Sequence, residues 1–228
     1  MDEFANTLMY CFDLFGTVIF AITGAVKGVR CKLDILGVTV FACTVGCGGG
    51  MLRDTLLGVT PVAAFTNSSY IILCVVTGLV VFFFAPKIAA KWEVILYCDA
   101  LGLGVFTALG VAKAAQCGMG VVGQLLSGVI TAVGGGVIRD VMSKSVPVVL
   151  TSDFYATASL IGGIVYLLIE PFHFPLLANF LICTLVVVTL RVFAIDHHMH
   201  LPVANVELPN EDDYHLFHGH AKEERHDN

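Results

Sequence analysis

The fold is decided by two glycine-rich stretches, GCGGGMLRDTLLGVTP at residues 46–61 and AVGGGVIRDVMSKSVP at residues 132–147. Each stretch has three consecutive glycines, an Arg-Asp pair that begins three residues after the last glycine, and a final proline. Both lie at the ends of long apolar runs, where an ionisable pair is costly and marks a functional position by default. The occurrence of the same pattern twice indicates an internal repeat.

A shift of 86 residues superposes the chain on itself without a gap. Fourteen of the fifty positions between Asp13 and Val62 are identical to those between Asp99 and Val148. Most of these matches are Gly, Pro or charged residues, whereas chance similarity between apolar segments would match Leu and Val. Because each unit holds three predicted spans, an odd number, the second copy inserts upside down. We therefore predict an inverted repeat with its functional site at the interface of the halves, near the bilayer midplane.

Seven apolar runs approach the roughly 20 residues that a membrane-spanning helix needs. They cover residues 9–28, 35–58, 69–86, 95–114, 121–143, 155–170 and 174–194. The sequence thus predicts an all-α integral membrane fold, built as an inverted 3+3 repeat plus one extra helix. The transmembrane domain covers residues 1–194, with repeat one at about 8–86, repeat two at about 95–170 and helix seven at about 174–194. Residues 195–228 form a separate tail.

The composition excludes a soluble globular protein. Apolar residues make up 57% of the chain and charged residues only 13%, about half the charge of a soluble domain. The net charge of -6 comes from the tail, with eight carboxylates and two basic residues, so the membrane part is neutral and has no basic nucleic-acid footprint. No Ser/His/Asp, HExxH or phosphate-loop pattern is present. We therefore predict that the chain is not an enzyme and binds no nucleic acid.

Candidate metal ligands lack the spacing of a metal site. The eight cysteines lie in or beside apolar runs and are interpreted as reduced packing residues. Cys43 and Cys47 are four residues apart, but no histidine or second cysteine pair with ligand spacing accompanies them. The tail has seven histidines without defined spacing and too little apolar surface to fold, so we expect it to be disordered. The sequence predicts no metal site.

The distribution of Lys and Arg predicts the orientation, because cytoplasmic loops carry the excess of these residues. One predicted side of the membrane holds Lys27, Arg30, Lys32, Lys87, Lys91, Lys144 and Arg191. The opposite side has Lys113 and little else. We therefore expect the N-terminus outside and the C-terminal tail in the cytoplasm.

The glycine triplets of the second and fifth spans have two explanations. Each glycine weakens a helix by about 1 kcal/mol relative to alanine, and backbone groups freed by a kink must face protein or water. Kinks would turn carbonyl oxygens, which suit monovalent cations, toward a water-filled path. Alternatively, the glycines only allow close helix packing. We favour the kinked pathway because the motif occurs twice beside a charge pair.

The charged residues of the repeat complete the candidate site. The arginines share a helix face with the glycines one turn earlier, and the Arg-Asp pairs either line the pathway or form salt-bridged helix ends that reach the interface. The predicted pathway residues are Gly48, Gly49, Gly50, Gly134, Gly135, Gly136, Arg53, Arg139, Asp54 and Asp140. The helix dipole suffices to explain four further charges near helix ends, with pore-mouth roles second. These secondary candidates are Asp13, Asp99, Lys27 and Lys113.

The duplicated GGGxxRD motif, the later Pro61 and Pro147 and the 3+3+1 plan over about residues 8–194 resemble one known family. This is the prokaryotic branch of the trimeric intracellular cation channel (TRIC) family, also known as bacterial glycine-transporter-like membrane proteins. The resemblance implies a homotrimer in the cell inner membrane, with a pore in each protomer that conducts K+ and Na+. It also implies that the second and fifth helices line the pore and kink at their glycines. No cofactor is implied besides the permeating ion.

Two functions follow from these features. The first is a passive, trimeric monovalent-cation channel embedded in membrane lipid. The second is a secondary transporter of a small zwitterion such as glycine, in which Arg53 and Arg139 would bind the substrate carboxylate. A structural membrane scaffold is disfavoured because a polar motif is duplicated within the spans. The channel is the leading hypothesis.

Overall fold

A computed structural model describes residues 3–84, 92–151, 154–172 and 174–197, and these residues form helices and connecting turns without a strand. The helices are α1 (Glu3–Arg30), α2 (Ile35–Leu56), α3 (Ala63–Thr66), α4 (Ser68–Phe83), α5 (Trp92–Gln116), α6 (Val121–Met142), α7 (Val148–Thr151), α8 (Ala156–Ile169) and α9 (Leu176–Asp196), with a 3-10 turn at Glu170–Phe172. The predicted tail beyond residue 197 lies outside the described residues.

Five of these helices, α1, α2, α5, α6 and α9, are long and apolar enough to cross a membrane. A 22-residue helix such as α2 or α6 is about 33 Å long at 1.5 Å per residue, which matches a hydrocarbon core of about 30 Å. The other two predicted spans correspond to the shorter apolar helices α4, with 16 residues, and α8 with its 3-10 turn. The membrane fold of packed apolar helices is confirmed, and the count of seven spans stays a prediction.

The 86-residue repeat is visible in the backbone. Helices α2 and α6 begin and end 86 residues apart, as do the ends of α1 and α5. The turn after α1 is a left-handed residue at Lys32 (φ 57°), and the turn after α5 is one at Gly118 (φ 72°). The turns after α2 and α6 repeat this with Gly58 (φ 69°) and Lys144 (φ 55°). Glycine adopts this conformation without strain. In each pair of equivalent turns one repeat has glycine and the other has lysine, so the turn is kept by the repeat even where the residue is not glycine.

Helices α1 and α5, which are equivalent in the two repeats, pack antiparallel. Gly16 of α1 faces Phe106 of α5, whereas Phe20, one turn later, faces Gly102, one turn earlier. The Phe20 and Phe106 rings stack with their centroids 5.3 Å apart and their planes 8° apart. Residues later in α1 therefore contact residues earlier in α5.

Helices α2 and α6 show the same antiparallel relation. Thr44 Oγ1 lies 3.4 Å from Met142 Sδ, and Gly48, one turn further along α2, packs against Ile138, one turn back along α6. Two pairs of equivalent helices thus run in opposite directions, which is the relation that the inverted repeat predicts. Helix α9 has no equivalent and packs along α5, where Gly104 faces the Thr184 carbonyl.

Candidate ion pathway

The first ionic cluster, which comprises Asp13, Arg53, Asp54, Tyr70 and Lys113, surrounds the end of α2. Arg53 Nη2 lies 3.0 Å from Asp13 Oδ2, and Arg53 Nε lies 2.9 Å from Asp54 Oδ1. Lys113 Nζ, from the second repeat, lies 3.6 Å from Asp54 Oδ1. Tyr70 donates a hydrogen bond of 3.1 Å to Asp13 Oδ2. Two cations therefore balance two carboxylates at this site.

The second ionic cluster comprises Asp99, Arg139, Asp140, Tyr155 and Arg191 at the end of α6. Arg139 Nη1 donates a hydrogen bond of 2.5 Å to Asp99 Oδ1, and its Nε donates one of 2.9 Å to Asp140 Oδ1. Arg191, from the unrepeated helix α9, places its guanidinium carbon 4.8 Å from the centroid of the Tyr155 ring. This cluster therefore contains an arginine that has no equivalent in the first.

Both Arg-Asp pairs are buried within the protein. Arg53 is only 1% exposed and Arg139 only 2%, and their neighbouring aspartates are equally enclosed. Arg53 and Arg139 lie in the last turns of α2 and α6 and are salt-bridged there, as the helix-end alternative predicts. Their charged ends are enclosed by protein, however, whereas side chains that reach the membrane interface are exposed. Their place in an ion pathway stays a prediction. Buried charges of this kind persist when they are paired and hydrogen-bonded, and each arginine here contacts two carboxylates.

The structure also corrects the helix-dipole explanation for Asp13 and Asp99. Helix α1 begins at Glu3 and α5 at Trp92, so both aspartates lie beyond the first turn, where the dipole effect has faded. They instead bind the arginines, forty residues further along the chain. Lys27 and Lys113 do lie in the last turns of α1 and α5. Lys113 joins the first cluster, whereas Lys27 Nζ donates a 3.3 Å hydrogen bond to Ser145 Oγ.

Asp54 and Asp140 also fix the chain that follows each long helix. Asp54 Oδ2 accepts a hydrogen bond of 3.1 Å from the Ala63 backbone N–H, and Asp140 Oδ2 accepts one of 2.9 Å from the Val148 N–H. These equivalent donors are 85 residues apart, not 86, so the repeat loses one residue after its proline. The carboxylates thereby hold the short helices α3 and α7 against the ends of α2 and α6.

This shift of one residue explains why a search for identical positions misses Tyr70 and Tyr155. The two tyrosines are 85 residues apart, and each lies beside the Asp–Arg pair of its own repeat. Arg191 is missed for another reason. It lies near the predicted end of its span, where a cation is taken as a topology signal. An alignment of the repeats with a one-residue gap after the prolines would have found the tyrosines.

The first two glycines of each triplet form the crossing point of α2 and α6. A Cβ added at Gly49 would overlap the Thr131 carbonyl oxygen, and one added at Gly135 would lie 2.7 Å from the Val45 carbonyl oxygen. Thr131 and Val45 are equivalent positions, so the two contacts are reciprocal, as a twofold axis requires. These glycines permit close packing, as the simpler explanation states. Both helices are continuous through the triplets, and a kink stays a prediction.

The third glycine of each triplet faces its ionic cluster. A Cβ added at Gly50 would have only Arg53 Nη2 nearby, at 3.7 Å, so the space beside it is open. A Cβ added at Gly136 would lie 3.0 Å from Tyr155 Oη and 3.7 Å from both Arg139 Nη2 and Asp99 Oδ1. Equivalent positions in the two repeats therefore face an open space and a filled one.

A cavity of about 210 Å³ opens onto the first cluster. It is lined by Asn6, Met9, Tyr10, Asp13, Arg53, Ala63, Tyr70, Leu109, Lys113 and Gln116. A second space of about 10 Å³ shares Asp13, Arg53 and Tyr70 with the first and is also lined by Gly50 and Asp54. The first cluster is thus reached from the protein surface at the end where α1 begins and α5 finishes.

The eight cysteines are free thiols. The structure brings Cys74 of α4 to Cys47 of α2, with 3.7 Å between the sulfur atoms, a neighbour that the sequence spacing does not reveal. Among the described residues, no group of three or more His, Cys, Asp or Glu side chains is placed to hold a metal ion.

The chain matches one family model twice. Residues 10–86 and 96–171 each match the family described as "Glycine transporter". The two segments begin 86 residues apart and end 85 residues apart, in agreement with the one-residue shift between the repeats. Together they cover most of the chain from α1 to α8 and leave α9 outside.

Named relatives and a solved structure extend over most of the chain. A UPF0126 membrane protein of Vibrio cholerae serotype O1 is 38% identical over 86% of this chain and 83% of its own length. The UPF0126 inner membrane protein YadS of Escherichia coli K12 is 36% identical over 86% of this chain and 95% of its own length. The TRIC trimeric intracellular cation channel orthologue from Rhodobacter sphaeroides is 32% identical, with a TM-score of 0.81 over 85% of this chain and 100% of its own.

Proposed function

The chain belongs to the prokaryotic branch of the trimeric intracellular cation channel family, and on that basis we propose that it is a channel for K+ and Na+ with one pore in each protomer of a homotrimer. The solved structures that it matches are channels, and the chain is not an enzyme. The permeating ion is the only ligand that the proposal requires.

The observation that carries this proposal is the position of the two ionic clusters on either side of the glycine crossing. Arg53 and Arg139 each lie four residues beyond the crossing on antiparallel helices, about 6 Å along each helix axis. A cavity already reaches one of these clusters. Paired charges in spans mark ion pathways, and inverted repeats place such pathways at their interface. The proposed pore therefore runs along α2 and α6, between the first and second clusters.

The chain is a multi-pass protein of the inner membrane, as its relatives and its long apolar helices indicate. The N-terminus of α1 lies at the first-cluster end, where Met9 and Gln116 are in contact. The end of α9 lies at the second-cluster end, where Tyr97 donates a hydrogen bond to Asp196. With the orientation given by the Lys and Arg distribution, we propose that the first cluster faces outward and the second faces the cytoplasm.

A flux measurement on liposomes tests the proposed path. The purified protein is reconstituted into liposomes that hold a K+ gradient, and K+ flux is compared between the wild type and two glycine-to-leucine variants. Gly50→Leu places a side chain in the open space beside Arg53 and is expected to reduce flux at least tenfold. Gly120→Leu is the matched control, because a Cβ at Gly120 has nothing within 4 Å, and its flux is expected to equal that of the wild type.

The same liposomes distinguish the channel from a transporter of a small zwitterion. The transporter is a second candidate because the cavity presents both a carboxylate, Asp13, and the cations of Arg53 and Lys113, which complement the charged groups of glycine. A channel passes K+ whether or not glycine is present. K+ or Na+ movement that occurs only with glycine uptake would contradict the channel and support the transporter.

A further inference from the structure

The unrepeated helix α9 breaks the symmetry of the two repeats at one place. Gly104 of α5 lies against its Thr184 carbonyl, and Gly162 of α8 lies against its Val187 side chain, so α9 is fixed between α5 and α8. Arg191 follows Val187 by one helical turn and lies on the same face. It is only 4% exposed and therefore points into the protein beside the second cluster.

Tyr155 lies between Arg191 and the Asp99–Arg139 pair. One face of its ring receives the Arg191 guanidinium at 4.8 Å, a distance within the range of a cation–π contact. Its hydroxyl lies beside Gly136, Arg139 and Asp99, and the whole residue is only 2% exposed. Tyr155 thus fills the position that corresponds to the open space beside Gly50.

From this contrast we propose that Tyr155, held by Arg191, is a plug that closes the second-cluster end of the ion pathway. The equivalent tyrosine of the first cluster, Tyr70, does not close its end in this way, since its hydroxyl binds Asp13 and the cavity still reaches Arg53. Ions enter the first cluster from the cavity and cross the protein when Tyr155 leaves its position. This inference rests on the proposed function, because a plug controls flow only if the path conducts.

The test compares three variants of the full chain in planar bilayers. Arg191→Gln removes the cation above the Tyr155 ring, and Arg191→Lys keeps the charge but loses the planar group that stacks on the ring. Arg30→Gln is the matched control, because it removes one positive charge from an exposed residue at the same end of the molecule. Loss of a cation–π contact is expected to raise the open probability of Arg191→Gln by about two- to thirtyfold. Arg191→Lys is expected to lie between Arg191→Gln and the wild type.

A second readout follows the plug without relying on conduction. Hydroxyl-radical labelling with mass spectrometry measures the exposure of Tyr155, with Tyr166, also buried, as the internal standard. Labelling of Tyr155 is expected to rise in Arg191→Gln and to stay at the wild-type value in Arg30→Gln. Equal Tyr155 labelling in Arg191→Gln and Arg30→Gln would overturn the plug. If no variant conducts but Tyr155 labelling rises in Arg191→Gln, Arg191 does hold the Tyr155 ring in place, but the proposed channel is contradicted and the plug with it.

Discussion

The two ionic clusters occupy equivalent positions of one repeat but have different surroundings. In the first, the Arg53 site borders a cavity of about 210 Å³, and its second cation, Lys113, is 26% exposed. In the second, Tyr155 and the buried Arg191 cover the equivalent arginine. The pairs that the repeated arginines form with aspartates are nearly the same, whereas the Lys113–Asp54 pair belongs to the first cluster. The repeat therefore provides the Arg-Asp pairs of both clusters. Residues that do not follow the 86-residue spacing, Tyr155 and Arg191, determine which cluster is open.

This difference explains how a duplicated unit can form a path with two unlike ends. Two identical half-sites would open or close together, since an inverted repeat makes their environments equal. Here the deletion of one residue after the second proline and the addition of α9 make them unequal. The comparison can be tested residue by residue, because most positions of one cluster have a counterpart in the other.

The largest difference is expected between Asp99→Asn and Asp13→Asn. Loss of the Asp99 charge removes one of the two carboxylates that the buried Arg139 contacts, which should lower the free energy of unfolding by about 3–5 kcal/mol. Loss of the Asp13 charge leaves Arg53 paired with Asp54 next to a cavity that admits water, so a loss of about 1–3 kcal/mol is expected. Thermal unfolding in detergent measures both.

Asp34→Asn serves as the control for that pair of variants. Asp34 is an exposed helix cap that accepts a hydrogen bond from the Gly37 N–H, and asparagine caps helices equally well. Its unfolding midpoint should equal that of the wild type. Equal destabilisation by Asp99→Asn and Asp13→Asn would show that the second cluster is no more enclosed than the first.

A smaller effect, equal in both repeats, is expected at the glycine crossing. Gly49→Ala and Gly135→Ala each push a methyl group against a backbone carbonyl of the opposite helix. Such overpacking costs about 1–3 kcal/mol, and the two losses should agree because the contacts are reciprocal. The unfolding midpoints of the two variants check this, and a loss in one variant alone would contradict the twofold relation.

Replacement of the third glycine of each triplet by alanine should change the stability of the protein in opposite directions. Gly50→Ala meets open space and should raise stability by up to about 1 kcal/mol, the gain of alanine over glycine in a helix. Gly136→Ala meets the Tyr155 hydroxyl at 3.0 Å and should lower stability by a similar amount. Thermal unfolding of the two variants side by side gives the result. The same sign for both would mean that Tyr155 yields easily and does not fill the second site.

The smallest effect is expected from Lys113→Gln. The Lys113–Asp54 distance of 3.6 Å and the partial exposure of the lysine place this ion pair in the class worth about 0–1 kcal/mol. The unfolding midpoint should therefore stay close to that of the wild type. The K+ flux should change, because the variant removes a positive charge from the cavity. A large loss of stability would show that Lys113 stabilises the first cluster and does not merely line the cavity.

The positions of the long helices could be predicted from the sequence because the 86-residue repeat marks them. Helices α2 and α6 end within two residues of the predicted ends of their spans. The turns that follow them lie 86 residues apart, as the repeat predicts. The Arg-Asp pairs were found because a charge in an apolar span is conspicuous. The pairing of Arg53 with Asp13 could not be predicted, since Asp13 lies forty residues away and only the packing of α1 against α2 brings the two side chains together.

The asymmetry of the site could not be predicted for a related reason. The side chain of Arg191 points inward because α9 packs on α5 and α8, and this contact depends on tertiary structure, not on the pattern of α9 alone. The tyrosines lie one residue out of register between the repeats, so comparison at constant spacing hides their equivalence. The glycine triplets predict where the pathway lies, and the structure divides each triplet between helix contact and the ionic cluster.

Single-channel recording in a planar bilayer tests the central claim most directly. The wild-type protein is studied with a KCl gradient across the membrane, in the absence of glycine. The proposed channel predicts discrete current steps that reverse close to the equilibrium potential of K+, with longer openings in Arg191→Gln. Currents that reverse at the Cl- potential, or the absence of current steps from protein that is folded and reconstituted, would contradict a cation pathway between the two clusters.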